Sequence, residues 1–101
     1  MSTPVRDLDK SDRIKKNEDK STTVLLVDPL EGEGGPIAEL RLRRPTARDL
    51  EKMDDVKGEV RKMNRLIQEL SGVSMSVLRT LSAEDWATVG EVVGDYLGKA
   101  S

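Results

Sequence analysis

At 101 residues, the chain is long enough for one domain with a small core. It contains no cysteine and no histidine, which excludes thiol chemistry, zinc sites of the usual Cys/His kind and the commonest general base in enzymes. A formal net charge of −2 argues against a general affinity for nucleic acid, and no apolar run reaches membrane-spanning length.

The segment from residue 1 to residue 21 is predicted to be a disordered, charged tail. Its larger apolar residues besides Met1 are Val5, Leu8 and Ile14, which are too few to order it by burial. Bases and acids are interleaved along it: Arg6, Lys10, Arg13, Lys15, Lys16 and Lys20 against Asp7, Asp9, Asp12, Glu18 and Asp19. Two other interpretations stay open, a basic arm that contacts nucleic acid and a short helix that forms on a partner.

Residues 22–44 are predicted to form a β-hairpin. Thr22–Leu30 is rich in β-branched and apolar residues, which is typical of a strand, and Pro29 indicates its end or an edge position. Glu31–Pro36 is a glycine-rich turn, and Ile37–Arg44 alternates apolar and charged residues like a second strand. Because a lone hairpin is marginal in water, we expect it to pack on helices or to pair its edge with another chain.

Residues 46–98 are predicted to be helical. Pro45 ends the second strand, and Thr46 is a candidate N-cap of a short helix with Asp49 at its third position. Three further helices are expected: Glu59–Ser71 ended by Gly72, a short helix capped by Ser74, and a last helix that is capped by Ser82 and runs to about Leu97. This order predicts an α+β fold in which an N-terminal hairpin precedes a small bundle of three to four helices, with residues 22–98 as a single domain.

The apolar faces of these helices are the candidate partner-binding surfaces. Methionine adapts to varied partner surfaces, and a core with only 2% aromatic residues is marginal alone, so self-association is expected. Glycines recur every four residues on the last helix, where they serve either tight packing within one chain or a crossing between chains. The candidate partner-binding residues are Met53, Met63, Leu66, Met75, Arg44, Arg48, Gly90 and Gly94; the four apolar ones among them are candidates for an exposed surface, and for each of them burial in the core is the favoured alternative.

A local basic patch lies between the second strand and the first helix. Arg41 and Arg43 are interpreted as solvent-facing residues that protect a sheet edge from aggregation. For Arg44 and Arg48, that interpretation and contact with an anion or acidic partner both stay open.

No catalytic, metal-binding or cofactor-binding residue is predicted. The glycines from Gly32 to Gly35 precede a strand and lack a following Gly-Lys-Ser/Thr, so they indicate a hairpin tip and not a phosphate-binding loop. Asp54 and Asp55 lack the further oxygen ligands that a hard cation needs. Asp85 is explained by its helix-capping position, and Ser82 has no histidine to activate it. Enzyme activity is therefore not expected.

The segment from Ile37 to Leu50 resembles the hallmark of a family of small tail assembly chaperones from tailed phages, with most similarity to Mu-like phages and prophages. A second block, from Leu70 to Trp86, is similar to the part of that family in which a short helix leads through a Leu-x-x-x-Asp turn into a terminal helix. The resemblance covers roughly residues 22–97, and the charged tail that precedes them has no counterpart in it.

This resemblance implies a non-enzymatic assembly factor that binds the tape measure protein and keeps it soluble until the tail tube polymerises around it. It implies a homo-oligomer in the host bacterial cytoplasm that is absent from the mature virion, with the tail tube protein as a possible second partner and with no cofactor, nucleic acid or membrane. Two alternatives stay open. One is a small nucleic-acid-binding regulator that uses Arg41, Arg43, Arg44 and the basic residues of the N-terminal tail, and the other is a structural or completion protein of the virion tail.

Overall fold

The computed structural model describes residues 4–98, in which a three-stranded sheet precedes four helices, so the prediction of an α+β fold is confirmed. Two single 3₁₀ turns, Val5–Asp7 and Lys10–Arg13, come first. The strands are β1 (Ile14–Lys16), β2 (Thr22–Gly32) and β3 (Gly35–Leu42), and the helices are α1 (Ala47–Glu51), α2 (Glu59–Ser71), α3 (Met75–Leu78) and α4 (Ala83–Tyr96).

The sheet is antiparallel with the strand order β1-β2-β3. The predicted hairpin is formed by β2 and β3, whose register pairs Thr22 with Leu42 and Val24 with Leu40. The turn predicted over Glu31–Pro36 is shorter in the structure, because the two strands stay paired as far as Gly32 and Gly35. Gly35 has a φ of +121°, a backbone conformation that residues with a Cβ rarely adopt, which explains a glycine at that position.

Pro29 lies inside β2, and the prediction that the first strand ends at about Leu30 is too short by two residues. The β2–β3 register is irregular between Leu25 and Leu30, so Pro29 occupies a stretch where regular ladder hydrogen bonds are not required of it. The backbone N–H groups of Val27 and Asp28 in this stretch donate instead to the two carboxylate oxygens of Asp85, each at 2.9 Å. A side chain of α4 therefore replaces the missing strand partner.

The hydrophobic core lies between one face of the sheet and the helices. Alternate positions of β2 and β3 supply its sheet side, and α2, α3 and α4 supply its helical side. Its fully buried members, all with less than 2% exposure, include Val24, Leu26, Leu40, Leu42, Ile67, Val89 and Val93. Aliphatic side chains fill this core, while Trp86 and Tyr96 are only partly buried at its margin.

The predicted boundaries of α2 are confirmed, and α4 ends at Tyr96, one residue before the predicted end at about Leu97. The helical pattern also predicts that α1 continues to Asp54, Asp55 or Gly58, but that helix ends at Glu51. Gly72 follows α2 with a left-handed φ of +77°. The Asp49 carboxylate accepts from the Thr46 N–H at 2.7 Å, and the Ser82 hydroxyl accepts from the Asp85 N–H at 3.1 Å. These are the local capping contacts that the sequence pattern predicts.

The segment before β2 differs from the predicted disordered tail. Residues 1–3 lie outside the described part of the chain, but residues 4–21 include both 3₁₀ turns and β1, which pairs with β2. Arg13 is buried, with 3% exposure, and donates to Asp85 Oδ1 at 3.1 Å and to Thr88 Oγ1 at 3.3 Å. A strand ladder and a buried ion pair order this segment, and a count of apolar residues misses both.

Candidate functional site

A shallow, largely apolar groove lies on the helical side of the molecule. We call it the helical groove; it is lined by Val60, Asn64, Leu78, Arg79, Leu81, Ala83 and Trp86, and it has a volume of about 340 Å³. The spacing of Val60 and Asn64 places them one turn apart on α2, and Leu81 and Trp86 flank the start of α4. Three elements thus meet around one apolar depression.

Trp86 is held in place on one wall of the helical groove. Its indole N–H donates to Asn64 Oδ1 at 2.6 Å, which links α4 to α2 across the groove. Val60 on the same groove is 58% exposed, the most exposed large apolar side chain of residues 4–98. A partly buried, oriented tryptophan beside exposed aliphatic surface is the composition that protein interfaces favour.

The structure places two of the predicted apolar contact residues in the core. Met53 is 8% exposed and Leu66 is 4% exposed, so for these two residues the structure supports the core alternative and not an exposed contact surface. Helical periodicity groups residues on one face, but the sheet decides which face is covered. Met63 and Met75 are half-buried and do not line the helical groove.

The other predicted contact residues lie at separate places. Arg44 and Arg48 are exposed, as predicted for a charged surface. Gly90 and Gly94 are half-buried on α4. An added Cβ at Gly90 would lie 3.8 Å from Met63 Cε, an ordinary van der Waals distance, so packing within the chain does not require glycine there.

Arg41 and Arg43 of the basic patch are engaged within the chain. Arg43 makes a two-pronged ion pair with Asp49, with nitrogen–oxygen distances of 2.7 and 2.8 Å, and this pairing lowers the pKa of Asp49 well below its usual value. Arg41 pairs with Asp19, whose pKa is lowered to about 2 mainly by hydrogen bonds from Ser21 and also by Arg41. Both arginines are exposed, as predicted, but they tie β3 to its neighbours.

A second depression lies at the opposite end of the sheet from the hairpin tip. We call it the basic pocket; it has a volume of about 480 Å³ and is lined by Ile14, Lys16, Asn17, Lys20, Ser21, Thr22, Arg44, Val92, Asp95 and Tyr96. It brings Arg44, which the sequence marks as a contact residue, together with two lysines of the N-terminal segment. Sequence reasoning missed both lysines because it treated that segment as a solvated tail.

Asp85 and Ser82, the two residues considered for catalysis, make structural hydrogen bonds. Asp85 is fully buried and already binds Arg13 and two strand N–H groups, and the Ser82 hydroxyl caps α4. Within residues 4–98, no cluster of three or more potential ligands could hold a metal ion. No helix in that range has the length and apolar character to cross a bilayer.

The helical groove also shows what the sequence pattern did not reveal. Helical periodicity places Val60 on a face of α2 and Trp86 on a face of α4. Whether they share a surface depends on how α2 packs against α4. One signal was present, since a lone tryptophan in an otherwise aliphatic chain is a residue type enriched at interfaces.

Comparison with known proteins gives one match. The model of the family described as "Phage tail assembly chaperone proteins, E, or 41 or 14" matches residues 23–98, which is most of the chain. Searches of curated proteins and of solved structures found no match.

Proposed function

This chain belongs to the family of phage tail assembly chaperones, and we propose that it binds the tape measure protein and keeps it soluble until the tail tube polymerises around it. The observation that carries the proposal is the helical groove, an apolar surface with an oriented tryptophan in a chain of this family. We propose a non-catalytic role, because the acid and hydroxyl groups that could serve chemistry are engaged in structural hydrogen bonds.

The groove suits an amphipathic helix of the partner. A long helical tape measure exposes apolar stripes that would aggregate, and an apolar side chain from such a stripe fits a depression of about 340 Å³ between α2 and α4. The polar rim, Asn64 and Arg79, leaves the complex able to dissociate, because only the centre of the contact excludes water. Reversible binding is what a chaperone that is later displaced requires.

Three further parts of the proposal concern the setting. The protein would act in the host bacterial cytoplasm and would be missing from the mature virion. The tail tube protein is a possible second partner. Self-association is consistent with a small aliphatic core that buries modest area.

Co-expression with the cognate tape measure protein tests the function. Val60→Glu places a charge in the helical groove at an exposed position in the first turn of α2, where a carboxylate is favoured by the helix dipole. The matched control is Leu50→Glu, which alters a 43% exposed side chain of α1 outside the groove. The soluble fraction of the tape measure protein is measured after centrifugation.

We expect the wild-type chain and Leu50→Glu to keep the tape measure protein soluble, and Val60→Glu to lower its soluble fraction roughly fivefold or more, as for loss of an interface contact. A wild-type chain with no effect on tape measure solubility would refute the proposed function. Equal effects of the two variants would refute the helical groove as the binding surface while leaving the function intact.

A further inference from the structure

The basic pocket concentrates positive charge on a chain that is acidic overall. Its lining contains three cationic side chains, those of Lys16, Lys20 and Arg44, and one carboxylate, that of Asp95. The whole chain, in contrast, has a formal net charge of −2. Within residues 4–98, none of these three cations forms an ion pair. Arg41 and Arg43 nearby are paired with Asp19 and Asp49, so they are less available to an anionic ligand than the three cations of the pocket.

The turn that follows Lys16 of β1 and carries Lys20 is fixed by several hydrogen bonds. Lys20 has a left-handed φ of +75°, a conformation that is uncommon for a residue with a side chain and is kept only where surrounding contacts hold it. The Tyr96 hydroxyl lies 2.8 Å from the Lys20 carbonyl oxygen, and the Asn17 side chain donates to Ser21 and Thr23. The positions of Lys16 and Lys20 around the pocket are therefore set before any ligand arrives.

Apolar surface lies beside these cations. Ile14 of β1 and Val92 of α4 line the pocket together with the partly buried ring of Tyr96. A ligand that combines a carboxylate with an adjacent apolar side chain would satisfy both parts of the lining. Such a ligand is a short acidic segment of a protein.

We propose that the basic pocket binds an acidic peptide segment of a protein partner, with its carboxylates on Lys16, Lys20 and Arg44 and an apolar side chain against Ile14 and Val92. Charge complementarity favours an anionic ligand. A single depression on a negatively charged chain favours a peptide over nucleic acid, whose backbone needs an extended basic track. The pocket shares no lining residue with the helical groove, so this proposal does not depend on the tape measure interaction.

Fluorescence anisotropy with the full chain tests the pocket. The probe is a fluorescein-labelled peptide that repeats Glu-Glu-Leu-Ala, and its counterpart has Gln in place of every Glu. The pocket variants are Lys16→Gln and Arg44→Gln. Their matched controls are Lys15→Gln, on the neighbouring residue of β1, and Arg48→Gln; both controls remove one exposed positive charge outside the pocket.

We expect the Glu peptide to bind more tightly than the Gln peptide and to lose affinity with added salt, as exposed charge pairs do. Each pocket variant should weaken binding of the Glu peptide about threefold, and the double variant about tenfold, whereas the controls should change it little. Chemical shift changes on binding should centre on residues 14–22 and Tyr96.

Three results would overturn the proposal. The first is equal affinity for the Glu and Gln peptides. The second is an equal loss of binding in the pocket variants and their controls. The third is a labelled single-stranded oligonucleotide that binds more tightly than the Glu peptide and is weakened by the same pocket variants, which would assign the pocket to nucleic acid. None of these results bears on tape measure solubility or on the Val60→Glu variant.

Discussion

Replacing Asp85 by asparagine should destabilise this protein more than any other change of one carboxylate to an amide in residues 4–98. The Asp85 side chain is fully buried, and both of its oxygens are used. Oδ1 accepts from Val27 N–H at 2.9 Å and from Arg13 at 3.1 Å, and Oδ2 accepts from Asp28 N–H at 2.9 Å. One carboxylate therefore holds α4, the irregular stretch of β2 and the N-terminal segment together.

The magnitude follows from this geometry. In Asp85→Asn, one of the two side-chain positions becomes an NH₂ group that faces a backbone donor, so at least one strand N–H loses its acceptor, at a cost of about 1–3 kcal/mol. Arg13, which is 3% exposed, also loses the closer of its two acidic partners and keeps only Glu84 at 3.9 Å, and breaking a buried pair from one side costs about 3–5 kcal/mol. These costs overlap, and we expect a total near 3–5 kcal/mol, a large part of the roughly 5–15 kcal/mol typical of a domain.

Urea denaturation followed by circular dichroism measures the free energy of unfolding, and thermal melts should show a fall of about 12 °C or more. Asp54→Asn, on an exposed carboxylate, is the matched control and should change stability by less than about 0.5 kcal/mol. Arg13→Met should cost less, about 1–2 kcal/mol, because Asp85 keeps two backbone donors and because Arg13 Nε has no hydrogen-bond partner within residues 4–98. An Asp85→Asn variant as stable as the control would refute this reasoning, and so would an Arg13→Met variant that is the less stable of the two.

Two further predictions concern Asp49, which caps α1, and the glycines of α4. Because pairing with Arg43 lowers the pKa of Asp49 in the folded state, its contribution is complete above its unfolded value of about 3.9 and is lost progressively between that value and the much lower folded value. Asp49→Asn should therefore lower the free energy of unfolding more at pH 7 than at pH 3, where the contribution is only partly lost, in urea titrations; an equal loss at both values would contradict this. Gly90→Ala should stabilise the chain by about 0.5–1 kcal/mol, since an added methyl group meets Met63 Cε at 3.8 Å. Light scattering on the same variant separates the two interpretations of these glycines: an unchanged oligomeric state indicates no chain crossing at Gly90, and dissociation indicates one.

Much of the fold could be predicted because its signals are local. Each helix-capping contact joins residues that are no more than one helical turn apart in the sequence. The structure has these contacts where the pattern places them: Thr46 with Asp49 at the start of α1, Gly72 at the end of α2, and Ser82 with the Asp85 N–H at the start of α4. The candidate site was less accessible to prediction. Met53 and Leu66 satisfy the periodicity of an exposed face as well as that of a buried one, and only the sheet beneath them makes that choice.

The sequence by itself determined the order of strands and helices in the hairpin and the bundle, the helix caps, the exposure of Arg44 and Arg48, and the resemblance to a chaperone family. The tertiary structure alone decided the place of the N-terminal segment, because Arg13 meets Asp85 across 72 residues and β1 pairs with β2. It also decided that Trp86 and Val60 share the helical groove, and that Lys16, Lys20 and Arg44 share the basic pocket. The physical reason is the range of the interactions. Capping and periodicity act over a few residues, whereas burial, ion pairing and pocket formation depend on which distant segments the fold brings together.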